Sequence, residues 1–135
     1  MTNQKRNKGL HIGLWIAQAL VALMLLWGAS AKLGTPTEEL AKMMPWAAEN
    51  PLLVTLTGFV DLLGGLGILL PALLRIKPQF TVYAAYGTIA LMVSAAIFHI
   101  SRGEYESVGM NVVILLIALF IAWGRSKKEP ILPKA

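Results

Sequence analysis

The chain has 135 residues, of which 56% are apolar and only 14% charged, and its mean hydropathy is +0.64. Soluble domains carry about a quarter charged residues, so this composition excludes an ordinary soluble domain and predicts helices that face lipid. Cysteine is absent, which excludes disulfides, iron–sulfur ligation by thiolates and any thiol relay.

Four segments are long and apolar enough to cross a bilayer, and they cover about residues 10–31, 52–74, 80–100 and 108–123. A helix needs about 20 residues to cross ~30 Å of hydrocarbon, so the fourth segment is short unless its polar start is also immersed. The sequence therefore predicts an all-α fold, a transmembrane four-helix bundle that forms a single membrane domain over residues 1–135.

The net charge of +5 lies almost entirely in the tails and short loops, which is a topology pattern and does not indicate nucleic-acid binding. With four spans, nine lysines and arginines fall on the side of both termini and three fall on the other side. The positive-inside rule then predicts cytoplasmic N and C termini. We expect a multi-pass protein of the bacterial plasma (inner) membrane.

The first span ends in W-G-A-S-A-K-L-G, in which Ala29, Ser30 and Ala31 form an A-x-A of the kind that signal peptidase cleaves. The apolar run is 22 residues long, whereas a signal h-region has about 7–15. We therefore expect a permanent helix, with Lys32 near the outer surface.

The loop after the first span contains a second, shorter helical pattern. Thr35 and Glu38 have the spacing of a capping box, and Pro36 stands at the first helical position. The sequence predicts a short interfacial helix over residues 36–44, stopped by Pro45, that lies on the outer leaflet or caps the bundle.

Asp61 is the most informative residue, because it lies within the second span, about 14 Å below the outer surface of the membrane. An intramembrane carboxylate costs roughly 2.5 to 3.5 kcal/mol on insertion scales, so it is expected to face the bundle or a wet cavity. Gln18 has a similar predicted depth and is the expected hydrogen-bond partner. Two interpretations remain open, a bundle held together by this hydrogen bond without a ligand, or a functional pocket. Small residues share the face of the carboxylate: Thr57, Gly58, Gly64 and Gly65.

Further polar residues map to the same outer half of the bundle, and each has a simpler interpretation than ligand binding. His99 is typical of an interfacial histidine, Lys32 of a helix anchor that snorkels, and Asn111 of a residue drawn below the surface by a short span. His11 and His99 lie at opposite faces and cannot ligate one haem, and no spacing predicts a metal site. The candidate ligand-binding residues are Lys32, Asp61, His99, Asn111 and Gln18.

Glycines at positions 64, 65 and 67 lie inside an apolar helix, which indicates close helix packing and not a nucleotide-binding loop.

Four motifs occur in order along most of the chain: W-G-A-S-A-K-L (27–33), G-F-V-D-L-L-G-G-L-G-I-L-L-P (58–71), A-L-M-V-S-A-A-I-F-H (90–99), and N-V-V-I-L-L (111–116) with W-G-R (123–125). This series resembles the DoxX-like family of small four-span membrane proteins. That family usually has glutamate where this chain has Asp61, so the charge is retained on a shorter side chain. The resemblance implies an association with membrane redox systems, such as thiosulfate:quinone oxidoreductase, or with the assembly of membrane complexes.

Three functions follow as expectations. The leading one is an accessory or ligand-binding component of a membrane redox system, with an outer-half pocket for a quinone or other lipophile, acting with a redox partner and not as an enzyme on its own. No covalently bound cofactor is expected. A small oligomeric transporter or proton-linked carrier, in which Asp61 titrates, is the second. The third is an assembly or scaffold protein without a ligand, whose glycine-rich second span forms an interface, as in a homo-oligomer.

Overall fold

The computed structural model describes residues 7–133, so Lys5, Arg6 and Lys134 of the charge count lie outside the described part. Within these residues, four helices are long and apolar enough to cross a membrane. The predicted all-α transmembrane four-helix bundle is confirmed, and the chain is a multi-pass membrane protein. The helices are α1 (Lys8–Gly34), α2 (Thr37–Met43), α3 (Pro51–Leu74), α4 (Gln79–Ser101) and α5 (Tyr105–Trp123).

The long helices form a closed ring in which α1 packs on α3, α3 on α4, α4 on α5, and α5 on α1. Two short elements complete the fold, a 3₁₀ helix at Pro45–Ala48 and a π-helix at Gly124–Lys128 that continues α5. With the π-helix, the fourth span runs from Tyr105 to Lys128 and has 24 residues. It starts earlier and ends later than the sequence suggested, so its polar first turn is part of the span.

Glycines allow α3 to approach its two neighbours closely. A Cβ added at Gly65 would lie 2.8 Å from Leu26 Cγ on α1, and one added at Gly67 would lie 2.9 Å from Ala84 Cβ on α4. The expected close packing is therefore observed. Gly65 thus packs against α1, and Gly67 packs against α4.

The segment between α1 and α3 caps the bundle. Leu40 of α2 is fully buried and belongs to an apolar cluster with Ala31 and Trp46. The predicted capping box is wrong: Pro36 occupies the N-cap of α2 without a side-chain hydrogen bond. The physical reason is that α1 continues to Gly34, so Thr35 serves as its C-cap and donates its N–H to the Ala31 carbonyl.

An apolar core separates two polar ends of the bundle. We call the end that carries α2 and the α4–α5 link (102–104) the Lys32 end, and the end that carries residues 7–11, 75–78 and 124–133 the Arg125 end. The core between them is a cluster of buried apolar side chains from all four long helices: Ala17, Val21, Ala22, Leu25, Ile68, Ala85, Met92, Ile114, Ile121 and Ala122.

Candidate functional site

Lys32 and Asp61 form an ion pair within the bundle at the Lys32 end. Lys32 Nζ donates to Asp61 Oδ2 at 2.9 Å, and the two side chains are only 14% and 6% exposed. A Cβ added at Gly28 would lie 3.0 Å from the same carboxylate oxygen. The absence of a side chain at Gly28 therefore leaves the space that the carboxylate occupies, and the ammonium compensates its charge.

Trp46 connects this ion pair to His99. Lys32 Nζ lies 5.8 Å from the centroid of the Trp46 ring, within cation–π range. The same ring meets Phe98 edge-on at 5.5 Å and His99 edge-on at 6.2 Å. Because Trp46 is buried, its indole forms one wall shared by the ion pair and the histidine.

His99 is held at its other side by a chain of charges. Its Nδ1 lies 2.9 Å from Glu104 Oε1, and Arg102 Nε donates to the same oxygen at 3.1 Å. Arg102 also pairs with Glu49 at 2.8 Å. The hydrogen bond from His99, followed by that from Arg102, holds the pKa of Glu104 below its ordinary value.

The second ring nitrogen of His99 remains available to a ligand. Nε2 has no hydrogen-bond partner among residues 7–133. When a neutral His99 donates from Nδ1 to Glu104, Nε2 is an acceptor, and protonation converts it into a donor. His99 can therefore interact with a polar group of either kind while Glu104 fixes its orientation.

Asn111 lies on α5, about 9 Å from the start of that helix. Its Nδ2 is buried and has no hydrogen-bond partner within the described part of the chain. No hydrogen bond joins it to Lys32, Asp61 or His99 in that part. An unsatisfied buried donor costs about 1–3 kcal/mol, so this amide is a candidate to bind a polar group from outside the chain.

Gln18 lies far from the ion pair, and the expected hydrogen bond between Gln18 and Asp61 is wrong. Gln18 Nε2 donates to the Ile68 carbonyl at 2.9 Å, and Gln18 Oε1 accepts from Arg125 Nε at 2.7 Å. The reason is the register of α1 against α3: Gly28 is the residue opposite Asp61, and Gln18 is about 15 Å further along α1.

Trp46 and Arg125 were both missed as candidates by the sequence analysis, and the position of Arg125 suggested only a cytoplasmic anchor. The Arg125 side chain is buried, donates from Nη1 to the Glu129 carbonyl at 2.8 Å, lies 3.0 Å from His11 Nδ1, and stacks 5.4 Å from the Trp15 ring. Gly124 beside it packs against Leu14, so the end of α5 lies close to α1. The sequence contains two indications of this arrangement: Gly124 precedes Arg125, and the amide of Gln18 lies in the same half of the bundle.

Two cavities lie at the Arg125 end, with volumes of about 310 and 320 Å³. They flank the last described residues of the chain and share Ile131 as a lining residue. Neither is lined by Lys32, Asp61 or His99. Lys32, Asp61 and His99 thus form a group around Trp46, whereas Gln18 belongs to a second group around Arg125.

Comparison with known proteins identifies the family. No curated protein and no solved structure matches the chain. The model of the DoxX-like family matches residues 16–121, a range that contains all five candidate residues, Gln18 among them, but not Arg125. This match covers most of the chain and contains the motifs that carry the resemblance, except W-G-R (123–125). The chain therefore belongs to the DoxX-like family.

Proposed function

We propose that this protein is an accessory, ligand-binding component of a membrane redox system, and that it binds a quinone or a similar carbonyl-bearing lipophile at the Lys32 end. The observation that carries this proposal is that one buried indole, Trp46, contacts both the Lys32–Asp61 ion pair and His99. Sites for such ligands are mostly apolar and contain a few well-placed polar groups.

The polar groups match the chemistry of a quinone, which has two carbonyl acceptors on a flat ring. Lys32 has three N–H donors, of which Asp61 accepts one, so a carbonyl can take another. His99 Nε2 and Asn111 Nδ2 are further groups at this end. In this proposal Trp46 and Phe98 contact the ring, and Asp61 orients the ammonium.

In this proposal a ligand reaches Lys32 when Trp46 moves aside. Its 3₁₀ helix, Pro45–Ala48, is a single short turn, and the ion pair between Glu49 and Arg102 connects the following residue to the α4–α5 link. Glu49 is 67% exposed in that pair, and such surface pairs contribute only about 0–1 kcal/mol. We propose that this segment shifts as a gate when a ligand enters from the outer half of the bilayer.

In this account the chain supplies binding and orientation, and the oxidation chemistry belongs to the quinone and to a partner enzyme. The apolar core argues against a carrier, because the space between the Asp61 level and the Gln18 level is filled by side chains such as Val21 and Leu25. The packing of Gly65 and Gly67 against α1 and α4 argues against a scaffold that docks through these glycines.

Titration of the purified protein with a quinone analogue tests the proposal. Lys32→Met and Asp61→Asn should each weaken binding at least tenfold, because a charged hydrogen bond contributes about 1.5–3 kcal/mol. Lys42→Met is the matched control, since Lys42 is an exposed lysine of α2 at the same end. Unchanged affinity in Lys32→Met, or no saturable binding by the unaltered protein, would overturn the proposal.

A further inference from the structure

The last described residues, 129–133, form a strap across the Arg125 end. Glu129 accepts a hydrogen bond from the Asn7 backbone N–H at 2.9 Å, which holds the start of the strap against α1. Arg75, at the end of α3, holds its other end by donating from Nε to the Leu132 carbonyl at 3.0 Å and, in a longer contact of 3.5 Å, to the Pro133 carbonyl. The strap therefore connects the start of α1 to the end of α3.

One of the two cavities lies between these helices and the strap. Its volume is about 320 Å³, and its polar lining consists of His11, Trp15 and Arg75. Its apolar lining comes from α3 and from the strap: Ala72, Leu73, Ile131 and Leu132. The site is thus amphipathic, with an arginine and an indole on one side and aliphatic groups on the other.

The protein surface beside this cavity is strongly apolar where it faces the acyl chains of the bilayer. Ile12, Ile16 and Leu73 are each more than half exposed, on α1 and α3. Trp and Arg at this level of a span are typical of the zone where lipid headgroups lie. A molecule in the cavity would therefore have its polar part against Arg75 and its apolar part along α1 and α3.

The charge of the two ends differs in sign. Within residues 7–133, the Arg125 end carries six basic residues and one acidic residue, whereas acidic residues outnumber basic ones at the Lys32 end. The basic set is Lys8, Arg75, Lys77, Arg125, Lys127 and Lys128. Basic residues near a membrane surface attract anionic lipids, so the occupant that fits this charge is an anion.

We propose that the cavity between α1 and α3 binds the headgroup of an anionic phospholipid from the adjoining leaflet, with Arg75 donating to its phosphate. A guanidinium has five N–H donors in a planar fork that suits phosphate. The two strap carbonyls use two of them, and the other three have no partner among the described residues. The phosphate is held at the fork, and one acyl chain runs along Leu73.

Lys77 provides a matched control for Arg75. Both are exposed basic residues of the same four-residue turn, and both have a left-handed backbone, with φ values of 56° and 46°. Only Arg75 lines the cavity. Replacing either residue with glutamine removes one positive charge from the same turn, so a difference between the two variants reports the cavity and not the general charge.

The experiment counts lipids bound to the full-length protein by native mass spectrometry, with phosphatidylglycerol and phosphatidylcholine of equal chain length. We expect tighter binding of phosphatidylglycerol, weakened about tenfold or more in Arg75→Gln and less than threefold in Lys77→Gln. Arg75→Lys, which keeps the charge but not the fork, should fall between the unaltered protein and Arg75→Gln.

Three results would overturn the proposal. Equal effects of Arg75→Gln and Lys77→Gln would indicate diffuse surface attraction. Equal binding of the two lipids would show that the anionic headgroup is not recognised. Arg75-dependent binding of inorganic phosphate without any preference for phosphatidylglycerol would identify a site for a free anion. Helical circular dichroism spectra equal to that of the unaltered protein establish that the variants are folded, with Arg75→Lys as the milder substitution.

Discussion

Lys32 on α1 and Asp61 on α3 are 29 positions apart in sequence, and Lys32 Nζ and Asp61 Oδ2 lie 2.9 Å apart between the two helices. The pair lies where α1 and α3 approach closely, with Gly28 against Asp61 and Gly58 against Lys32. Two compensating charges thus lie within a span where a single charge would be costly.

Removing both members of this pair should destabilise the protein by less than the sum of the two single removals. Lys32→Met leaves a carboxylate with 6% exposure and no cation, and breaking a buried pair in this way costs about 3 kcal/mol or more. The double variant Lys32→Met with Asp61→Leu should lose less than the sum of the single losses. Unfolding in mixed detergent micelles measures the free energies, and strictly additive losses would contradict the coupling.

Replacing two glycines with alanine should have opposite effects, because Gly65 lies in the close contact between α1 and α3 and Gly87 does not. Gly65→Ala should cost about 1–3 kcal/mol, because the new Cβ meets Leu26 Cγ at 2.8 Å and the Ala22 carbonyl at 3.3 Å. Gly87→Ala in α4 meets nothing within 4 Å and should gain about 0.5–1 kcal/mol from helix propensity. Thermal unfolding of both variants checks this, and a stabilised Gly65→Ala would show that the helices are not in tight contact there.

Gln18 should contribute to stability through both ends of its amide. Gln18→Leu removes the partner of Arg125 Nε and one donor to the Ile68 carbonyl, and we expect a loss of about 2 kcal/mol. Gln18→Glu keeps an acceptor for Arg125 and should lose less. The free energy of unfolding measures the difference, and equal losses in the two variants would contradict the role of the arginine contact.

The sequence was sufficient to predict the four spans, because length and hydropathy determine them, and to predict that Asp61 faces inward. It could not supply the partner of Asp61, since depth along a helix does not reveal the register between helices. Lys32 was selected, but as an anchor or a ligand-binding group and not as the counter-ion. Arg125 was missed because a basic residue at the end of a span is usually an exposed anchor, and its burial depends on how closely the end of α5 approaches Leu14.

The link between α4 and α5 should contribute stability that depends on pH. The hydrogen bond from His99, the largest cause, and that from Arg102 lower the pKa of Glu104 from its ordinary 4.5. A lowered carboxyl pKa stabilises the fold above the unfolded value, and this stabilisation is lost as the pH falls from about 4.5 through the folded pKa.

Glu104→Gln should therefore reduce the melting temperature at pH 7 and should show a smaller further decrease between pH 5 and pH 3 than the unaltered protein. Glu106→Gln is the control, since Glu106 is an exposed glutamate only two residues away, in the first turn of α5. A melting temperature with the same acid dependence in Glu104→Gln and the unaltered protein would show that the His99–Glu104 contact does not stabilise the fold.

Photolabelling with an azidoquinone, followed by peptide mapping, tests the central claim most directly. The account predicts labels in residues 43–50 and 98–104, next to Trp46 and His99, and loss of these labels in Lys32→Met. The competing location is the Arg125 end, where two cavities are already open. Labelling confined to residues 75–83 and 126–133, and unaffected by Lys32→Met, would contradict a quinone site at the Lys32 end.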